Sequence, residues 1–334
     1  MTVLITSVGV VAEEPGTAGE HPDGTWFAPA EHLGRRGWKY YSPATRYLLA
    51  AGNLALGRRH DDPPLTGGPS LRFGVVTGTQ YAIAHVHRRM NHVLSTEGVR
   101  GISPAEVPGF SMSTPGSQLA ITTGARAFSV TLTNPFTAGL EAVHFATTAL
   151  RTGRADRVVA AATDQAPAGD QRRGQYDGAA AVVLSTPEAA DGAKALAAVT
   201  GGLSRFVVRG TDGTPDRAAL AATGRRIAAL AGGASGPRLV VSAPAGAADL
   251  GEAVRDTVAT ALAAAGTPPH DPAGTVTEAR HCAVSGLLEL IALAGAGEPA
   301  LLVSVSESGH LTAVALDSPI RTSVHKSTEK RISL

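Results

Sequence analysis

The chain of 334 residues carries 29 Lys and Arg against 28 Asp and Glu without a long basic run, which argues against a nucleic-acid-binding protein. Hydrophobic residues make up 43% and aromatic residues only 4%, so the core must consist mainly of Ala, Val and Leu, as in a sheet covered by helices. The one cysteine excludes an internal disulfide, and no signal peptide or membrane-spanning apolar run is recognisable, so we expect a cytoplasmic protein without membrane contact.

Strands and helices alternate in the first half of the chain. Apolar and β-branched patterns predict strands at 3–11, 72–77, 128–133, 157–162 and 179–184. Helical spacing of apolar residues predicts helices at 43–56, 83–94, 118–123 and 138–151. The segment 104–115, rich in Pro, Gly and Ser, is predicted to be a loop. Strand–helix–strand units of this kind indicate a largely parallel sheet with right-handed crossovers.

The same order begins again after a boundary predicted at 187–194. Strands are predicted at 195–208, with a break at Gly201–Gly202, and at 239–242, 274–277, 300–306 and 311–316. Helices are predicted at 216–231, 248–265 and 284–293. We therefore predict two similar α/β halves, 1–187 and 195–317, followed by a tail, 318–334. In such sheets the functional site lies at the carboxyl ends of the strands.

The segment 134–139 is predicted to be a sharp turn between a strand and a helix, which we call the elbow. Several enzyme families hold a nucleophile at such a turn, because it exposes one side chain and places it beside the N–H groups of a helix N-terminus. The residue at the tip of this elbow is Phe136, which has no nucleophilic atom.

Two further clusters suggest binding, each beside a simpler interpretation. The segment Gly34–Tyr41 combines basic and aromatic residues and is either an amphipathic surface loop or a docking patch for a carrier protein or another partner. His85, His87 and His92 lie on one predicted helix, but without nearby acidic or thiol ligands they indicate a solvated helix face rather than a metal site.

Four segments give the chain its resemblance to a known family. They are Ile5–Val11, Ser117–Ile121, Ala138–Ala142 and, most specifically, Leu150–Val159. Together they resemble the β-ketoacyl synthases of the thiolase-fold condensing enzymes over nearly the whole chain. The resemblance implies a thiolase-like fold, in which two duplicated βαβαβαββ halves form five layers in the order α-β-α-β-α. It implies no cofactor and no metal.

The residues that the family's chemistry requires are missing. The family uses a cysteine at the elbow to hold an acyl thioester, and two histidines from the second half to assist decarboxylation and polarise a carbonyl. The matching positions here are Phe136, Pro244 and Arg280. The glycine-rich gating loop near the end of the family's chain becomes Glu307, Ser308 and Gly309. The usual condensing chemistry is therefore not expected.

The resemblance then implies a non-catalytic subunit similar to the chain-length factors of bacterial type II polyketide synthases. Such subunits pair with an active ketosynthase through the strand before the elbow, which here carries Phe128, Val130 and Leu132. The expected partners are an active ketosynthase or a second copy of this chain, together with an acyl carrier protein. The expected role is to stabilise the partner and to line the acyl-chain tunnel.

Two alternatives remain at this stage. One is an enzyme with different acyl-transfer or cyclisation chemistry at Cys282 and His281, because a turn entering a helix can lower a thiol pKa; Thr137, Ser306 and Glu307 could assist. Cys282 is otherwise a small buried residue, and His144 on the elbow helix a core or interface histidine. The other alternative is a homodimer that binds an acyl-like ligand without turnover.

Overall fold

The computed structural model describes residues 1–14, 26–167, 174–210, 213–232, 236–272 and 274–318. Of the predicted tail, only Ser318 lies within these ranges. The strands are β1 Val3–Ala12, β2 Phe73–Gly78, β3 Phe128–Leu132, β4 Arg157–Asp164, β5 Gly178–Ser185, β6 Ala197–Phe206, β7 Arg238–Ala243, β8 Thr275–Glu278, β9 Ala300–Val305 and β10 His310–Asp317. The helices are α1 Pro29–Leu33, α2 Pro43–Leu56, α3 Gly67–Leu71, α4 Ala84–Thr96, α5 Thr114–Thr123, α6 Ala138–Arg151, α7 Pro187–Ala190, α8 Arg217–Ala229, α9 Ala248–Ala264 and α10 Ser285–Ala296.

The two halves of the chain repeat one strand order. The sheet runs β3-β2-β4-β5-β1-β6-β10-β9-β7-β8, so each half, counted from its own first strand, has the order 3-2-4-5-1. Within each half the first three strands of that order are parallel, and the remaining neighbours are antiparallel. β1 and β6 join the halves through antiparallel pairs that run from Val3↔Val199 to Ile5↔Ala197.

Three apolar clusters separate the chain into layers. The central cluster contains α6 and α10 between the two half-sheets, with Leu140 and Leu287 among its buried residues. A second cluster packs α2 and α5 on the outer face of the first half-sheet, and a third packs α8 and α9 on the outer face of the second. The five-layer α-β-α-β-α arrangement of a thiolase-like fold is therefore confirmed.

Small residues allow the central layer to pack closely. A Cβ added to Gly139 of α6 would lie 2.2 Å from the carbonyl oxygen of Ala283, and one added to Gly78 would lie 2.4 Å from the carbonyl carbon of Ala138. Only glycine permits these backbone approaches. The low aromatic content predicted a core of this kind.

The structure corrects some of the predicted element boundaries. The predicted break at Gly201–Gly202 is wrong: β6 continues through both residues, which pair with Ala315 and Val314 of β10. Gly202 makes room for the His144 ring, since a Cβ there would lie 2.7 Å from Nδ1 of that ring. The predicted loop at 104–115 contains a 3₁₀ helix, Pro104–Phe110, and the start of α5 at Thr114. In the part of the chain that the structure describes, no helix is long and apolar enough to cross a membrane.

Candidate functional site

The elbow joins β3 to α6 at the carboxyl end of the parallel strands. Phe136 at its tip has a φ of 62°, in the left-handed region that side chains with a Cβ seldom adopt. Three hydrogen bonds from backbone N–H groups hold the turn. Phe136 N–H donates to Oε1 of Gln80 at 3.2 Å, Thr137 N–H to the Pro135 carbonyl at 2.7 Å, and Ala138 N–H to the Asn134 carbonyl at 3.1 Å. The backbone therefore keeps the strained form typical of a nucleophile elbow, with a phenyl ring in the place of the nucleophile.

A buried carboxylate, Glu141, fastens the elbow from inside the protein. The amide of Asn134 donates to both carboxylate oxygens at 2.9 and 2.8 Å, and the Thr137 hydroxyl donates to Oε1 at 3.0 Å. Hydroxyls of Ser204 on β6 and Thr312 on β10 donate to the same oxygen at 3.4 and 3.3 Å. Glu141 thereby ties the elbow to the second half of the chain.

A second buried carboxylate, Asp164 at the end of β4, connects two segments of the chain beside the elbow. It accepts hydrogen bonds from the Thr79 hydroxyl at 2.9 Å and the Gln80 N–H at 2.8 Å, and from the Ala283 N–H at 3.0 Å. Burial raises the pKa of Asp164 to about 6, although the hydrogen bonds from backbone N–H groups oppose that shift. Asp164 thus joins the loop after β2 to the turn before α10.

A pocket of 480 Å³ opens at the elbow. Its lining comprises Gln80, Tyr81, Pro135, Phe136, Pro167, Gln175, Glu307 and Ser308. The Phe136 side chain is 5% exposed, so its ring forms part of the pocket wall rather than projecting into solvent. Burial, and then the proximity of Cys282, raise the pKa of Tyr81.

Of the predicted second-half positions, Glu307 and Ser308 line this pocket, whereas Pro244 does not. Pro244 follows β7 and is buried, and it offers no base. In the 3₁₀ turn after it, a Cβ added to Gly246 would lie 2.3 Å from Oε1 of Glu307. The gating-loop residues Glu307 and Ser308 line the pocket beside this turn, and Gly309 completes their loop with a φ of 97°.

Arg280 lies away from the pocket. Its side chain is 49% exposed, and its Nη2 lies 2.7 Å from Oε2 of Glu278 in a surface ion pair. Arg280 is not among the residues that line the pocket. Cys282, from the same turn, contacts one of them, because its Sγ–H donates to the Gln175 amide oxygen at 3.3 Å.

The expected lowering of the Cys282 thiol pKa is wrong. Cys282 is fully buried, and its burial, followed by the nearby carboxylates of Asp164 and Asp177, raises the pKa of the thiol far above its ordinary value. The Nε2 atom of His281 is engaged elsewhere, because it lies 2.8 Å from the Glu13 carbonyl oxygen. Burial lowers the pKa of His281. The two residues do not form a thiolate–imidazolium pair.

The strand predicted to form an interface lies at one end of the sheet. β3 pairs with β2, and within the described residues no strand pairs with its other edge. Phe128, Val130 and Leu132 are half-buried and pack against the central cluster, whereas Ser129 is exposed. An open edge of this kind is a template for pairing with another chain.

The remaining predicted positions have simpler roles. The His87 ring packs against that of Phe110, with centroids 4.3 Å apart and a tilt of 31° between the planes. No cluster of metal-ligating side chains occurs among the residues whose placement is described. In the segment Gly34–Tyr41, the Trp38 ring lies 5.0 Å beneath the Arg46 guanidinium, while Tyr40 is 94% exposed. His144 is half-buried beside Gly202, and its partial burial lowers its pKa.

Sequence reasoning missed several residues of the site. Gln80 and Tyr81 follow the carboxyl end of β2, and Asp164 ends β4. Their positions at strand ends were the available signal. Glu141 carried no such signal, because an acidic residue in the first turn of a helix is more often a solvated dipole partner.

Comparison with known proteins gives one family and a common fold. The model of the β-ketoacyl synthase N-terminal domain matches residues 21–201. A comparison with curated proteins finds no match.

Three solved structures show how far the likeness extends. AntDE:AntF, a type II PKS acyl-carrier protein in complex with its ketosynthase, has a TM-score of 0.72 and 17% identity over 95% of this chain and 99% of that chain. The ishigamide ketosynthase/chain length factor has a TM-score of 0.70 and 20% identity, over 96% of this chain and 100% of that chain. A β-ketoacyl synthase from Burkholderia phymatum STM815 has a TM-score of 0.68 and 14% identity, over 95% of this chain and 99% of that chain. At these identities the likeness concerns the fold.

Proposed function

Because this chain belongs to the β-ketoacyl synthase family, we propose that it is a non-catalytic, ketosynthase-like subunit of a type II polyketide or fatty-acid-type assembly system. The single observation that carries the proposal is Phe136, a phenyl ring at the tip of an elbow whose backbone keeps the φ of 62°. A residue without a nucleophilic atom cannot form the acyl thioester on which condensation depends.

The positions that match the family's two histidines support this interpretation. Pro244 replaces one of the histidines that the family resemblance implies, and Arg280 faces solvent in place of the other. The buried thiol of Cys282 has a raised pKa and therefore offers little thiolate as a substitute nucleophile. The described pocket lining contains neither a cysteine nor a histidine, the residue types that condensation in the family requires.

The partner that fits best is an active ketosynthase. The free edge of β3 can pair with the equivalent strand of a second subunit, so that one sheet continues through both, and main-chain hydrogen bonds would then supply the contact. One of the similar structures carries the name ketosynthase/chain length factor, which supports a heterodimer. A homodimer of this chain would use the same edge.

The subunit would act by shaping the space around the acyl chain. The pocket of 480 Å³ has Phe136 as part of its wall, so its ring limits how far a chain enters this subunit. An acyl carrier protein would deliver the chain, and the exposed basic and aromatic segment Gly34–Tyr41 is a candidate contact for it. Another of the similar structures is a ketosynthase in complex with its acyl-carrier protein, which supports that kind of partner.

Co-expression with the ketosynthase encoded by a neighbouring gene tests the proposal. We expect the tagged chain to retain the untagged ketosynthase through affinity and size-exclusion chromatography as a 1:1 complex. Two variants of the β3 edge, Ser129→Arg and Val130→Asp, should reduce the retained ketosynthase at least about tenfold, since each places a charge in the interface. Val99→Asp, at an exposed valine outside that edge, is the matched control and should leave retention unchanged.

Three results would contradict the pairing. One is a ketosynthase that never co-purifies and is soluble and active alone. Another is a complex that both β3 variants leave intact, which would place the interface elsewhere. The third is a stable homodimer that excludes the ketosynthase, which would favour the homodimeric alternative. Circular dichroism of the Val130→Asp variant checks that the half-buried position has not unfolded the chain.

A further inference from the structure

A hydrogen-bonded serine and histidine lie on the turn between β9 and β10, at the pocket. The Ser308 hydroxyl is 3.1 Å from Nδ1 of His310 and 2.9 Å from the Ser306 hydroxyl. Ser308 is exposed and lines the pocket, whereas Ser306 is fully buried behind it. None of these residues has a part in the pairing function proposed above.

The hydrogen bonds of the turn fit one direction of proton donation. The His310 backbone N–H donates to the Ser306 hydroxyl oxygen at 3.0 Å, so this oxygen already acts as an acceptor. The Ser306 hydrogen can then be donated to the Ser308 oxygen, which leaves the Ser308 hydrogen for Nδ1 of His310. This arrangement requires the His310 tautomer that carries its proton on Nε2. It is the arrangement in which an imidazole acts as a general base toward a hydroxyl.

The backbone holds the two side chains in a fixed turn. Gly309 N–H donates to the Ser306 carbonyl at 3.1 Å, and Ser306 N–H donates to the His310 carbonyl at 2.9 Å. Arg209 Nη1 donates to the Glu307 carbonyl at 3.0 Å and anchors the turn from outside. The His310 ring also packs against Phe206, with centroids 5.0 Å apart. Such support keeps the donor and acceptor in register without a ligand.

We propose that Ser308 and His310 form a nucleophile–base pair that transfers or hydrolyses activated acyl esters and thioesters at the mouth of the pocket. Acyl compounds are the substrate class because a serine activated by imidazole attacks carbonyl carbons. The pocket offers both polar groups and the apolar Phe136 and Pro135 for a short acyl chain. This activity is separate from condensation and does not depend on a nucleophile at the elbow.

The reaction balances without a further reagent apart from water. The Ser308 oxygen forms a C–O bond with the acyl carbon while its proton passes to Nδ1 of His310. The C–S bond of the thioester breaks, and the departing thiolate takes the proton from His310. Water then attacks the seryl ester with His310 again accepting a proton, which releases the carboxylic acid and restores the Ser308 hydroxyl. One thioester and one water give one acid and one thiol.

A fluorophosphonate probe and butyryl-N-acetylcysteamine test the proposal on the full chain. We expect the probe to modify Ser308, located by peptide mass spectrometry, and the thioester to be hydrolysed. Ser308→Ala should abolish both signals, and His310→Ala should slow both at least about 100-fold. Added imidazole should restore part of the rate of His310→Ala, which a merely structural role of the ring would not allow. Ser95→Ala is the matched control, because Ser95 is an exposed serine bonded to a histidine carbonyl.

The proposal is overturned if Ser308 stays unlabelled, if Ser308→Ala hydrolyses the thioester at the unchanged rate, or if imidazole restores nothing to a folded His310→Ala variant. Thermal melting of both variants shows that they are folded. The isolated chain suffices for these measurements, so their failure would leave the pairing with a ketosynthase untouched. Equally, a chain that binds no ketosynthase could still carry this activity.

Discussion

The Asp164 carboxylate accepts a hydrogen bond from the backbone N–H of Ala283 at 3.0 Å. The two residues are 119 positions apart in the chain, one at the end of β4 and the other in the turn before α10. This contact joins the two halves immediately beside the pocket. The side chain that makes it is fully buried, so its ionisation is coupled to the folding of both halves.

We expect Asp164→Asn to remove a pH dependence of stability. Burial raises the pKa of Asp164 to about 6, so the folded chain holds this proton more tightly than the unfolded chain. The contribution of Asp164 is therefore greatest below pH 4 and is lost as the pH rises to about 6, by roughly 3 kcal/mol. The difference in unfolding free energy between the natural chain and Asp164→Asn, measured in urea at pH 4, 5, 6 and 7, should fall by about this amount. Taking the difference cancels the opposite pH dependence of partly buried histidines such as His144 and His281. Equal slopes in the two proteins would contradict the assignment.

The left-handed backbone of Phe136 predicts an unusual order of stabilities. Phe136→Ala should cost about 3–5 kcal/mol through the loss of the buried ring. Phe136→Gly should cost about 1 kcal/mol less than Phe136→Ala, because glycine adopts a φ of 62° without the penalty that a Cβ brings. Urea unfolding of both variants measures the difference. A glycine variant less stable than the alanine variant would show that the elbow is not strained.

Glu141→Gln tests the carboxylate that fastens the elbow. The glutamine amide would turn an N–H toward either the Asn134 amide or the Thr137 hydroxyl, and both of these are donors. We expect a loss of about 2–3 kcal/mol in the free energy of unfolding. Glu188→Gln, at an exposed glutamate, is the matched control and should change stability by less than about 0.5 kcal/mol. Equal effects of the two substitutions would refute the role of Glu141.

The reactivity of Cys282 separates the subunit from an enzyme that uses this thiol. Because the chain has one cysteine, its consumption of a disulfide reagent reports Cys282 alone. Full burial and the raised thiol pKa predict that the folded chain reacts at least about 100-fold more slowly than the chain in urea. A folded chain that reacts as quickly as the unfolded one would favour the thiol-based alternative.

The repeated strand order and the elbow could be predicted from the sequence, because apolar periodicity and the turn Asn134–Thr137 are local sequence features. The direction of a side chain on an irregular turn, toward the core or toward solvent, could not be predicted in this way. Arg280 and Cys282 are two residues apart, yet Arg280 faces solvent and Cys282 is buried. The expected activation of Cys282 failed for the same reason: a helix entrance lowers a thiol pKa only where water or a cation also reaches the sulfur, and burial decides this.

The repeated glycines of β6 show a related limit. Two consecutive glycines, Gly201–Gly202, suggest a strand break. The glycine at 202 instead makes room for the His144 ring, which comes from a helix distant in the sequence. Local propensity could not reveal that contact. The roles of Glu141 and Asp164 were also missed, because the hydrogen-bond donors of each carboxylate lie in both halves of the chain.

The rate of carbon–carbon condensation tests the central claim most directly. It should be measured with this chain alone, with the neighbouring ketosynthase alone, and with an equimolar mixture, using the same acyl and extender thioesters on a carrier protein. We expect no condensation by this chain alone, and a rate in the mixture at least about tenfold above that of the ketosynthase alone. Condensation by the isolated chain, or a ketosynthase that is equally fast without it, would contradict the account.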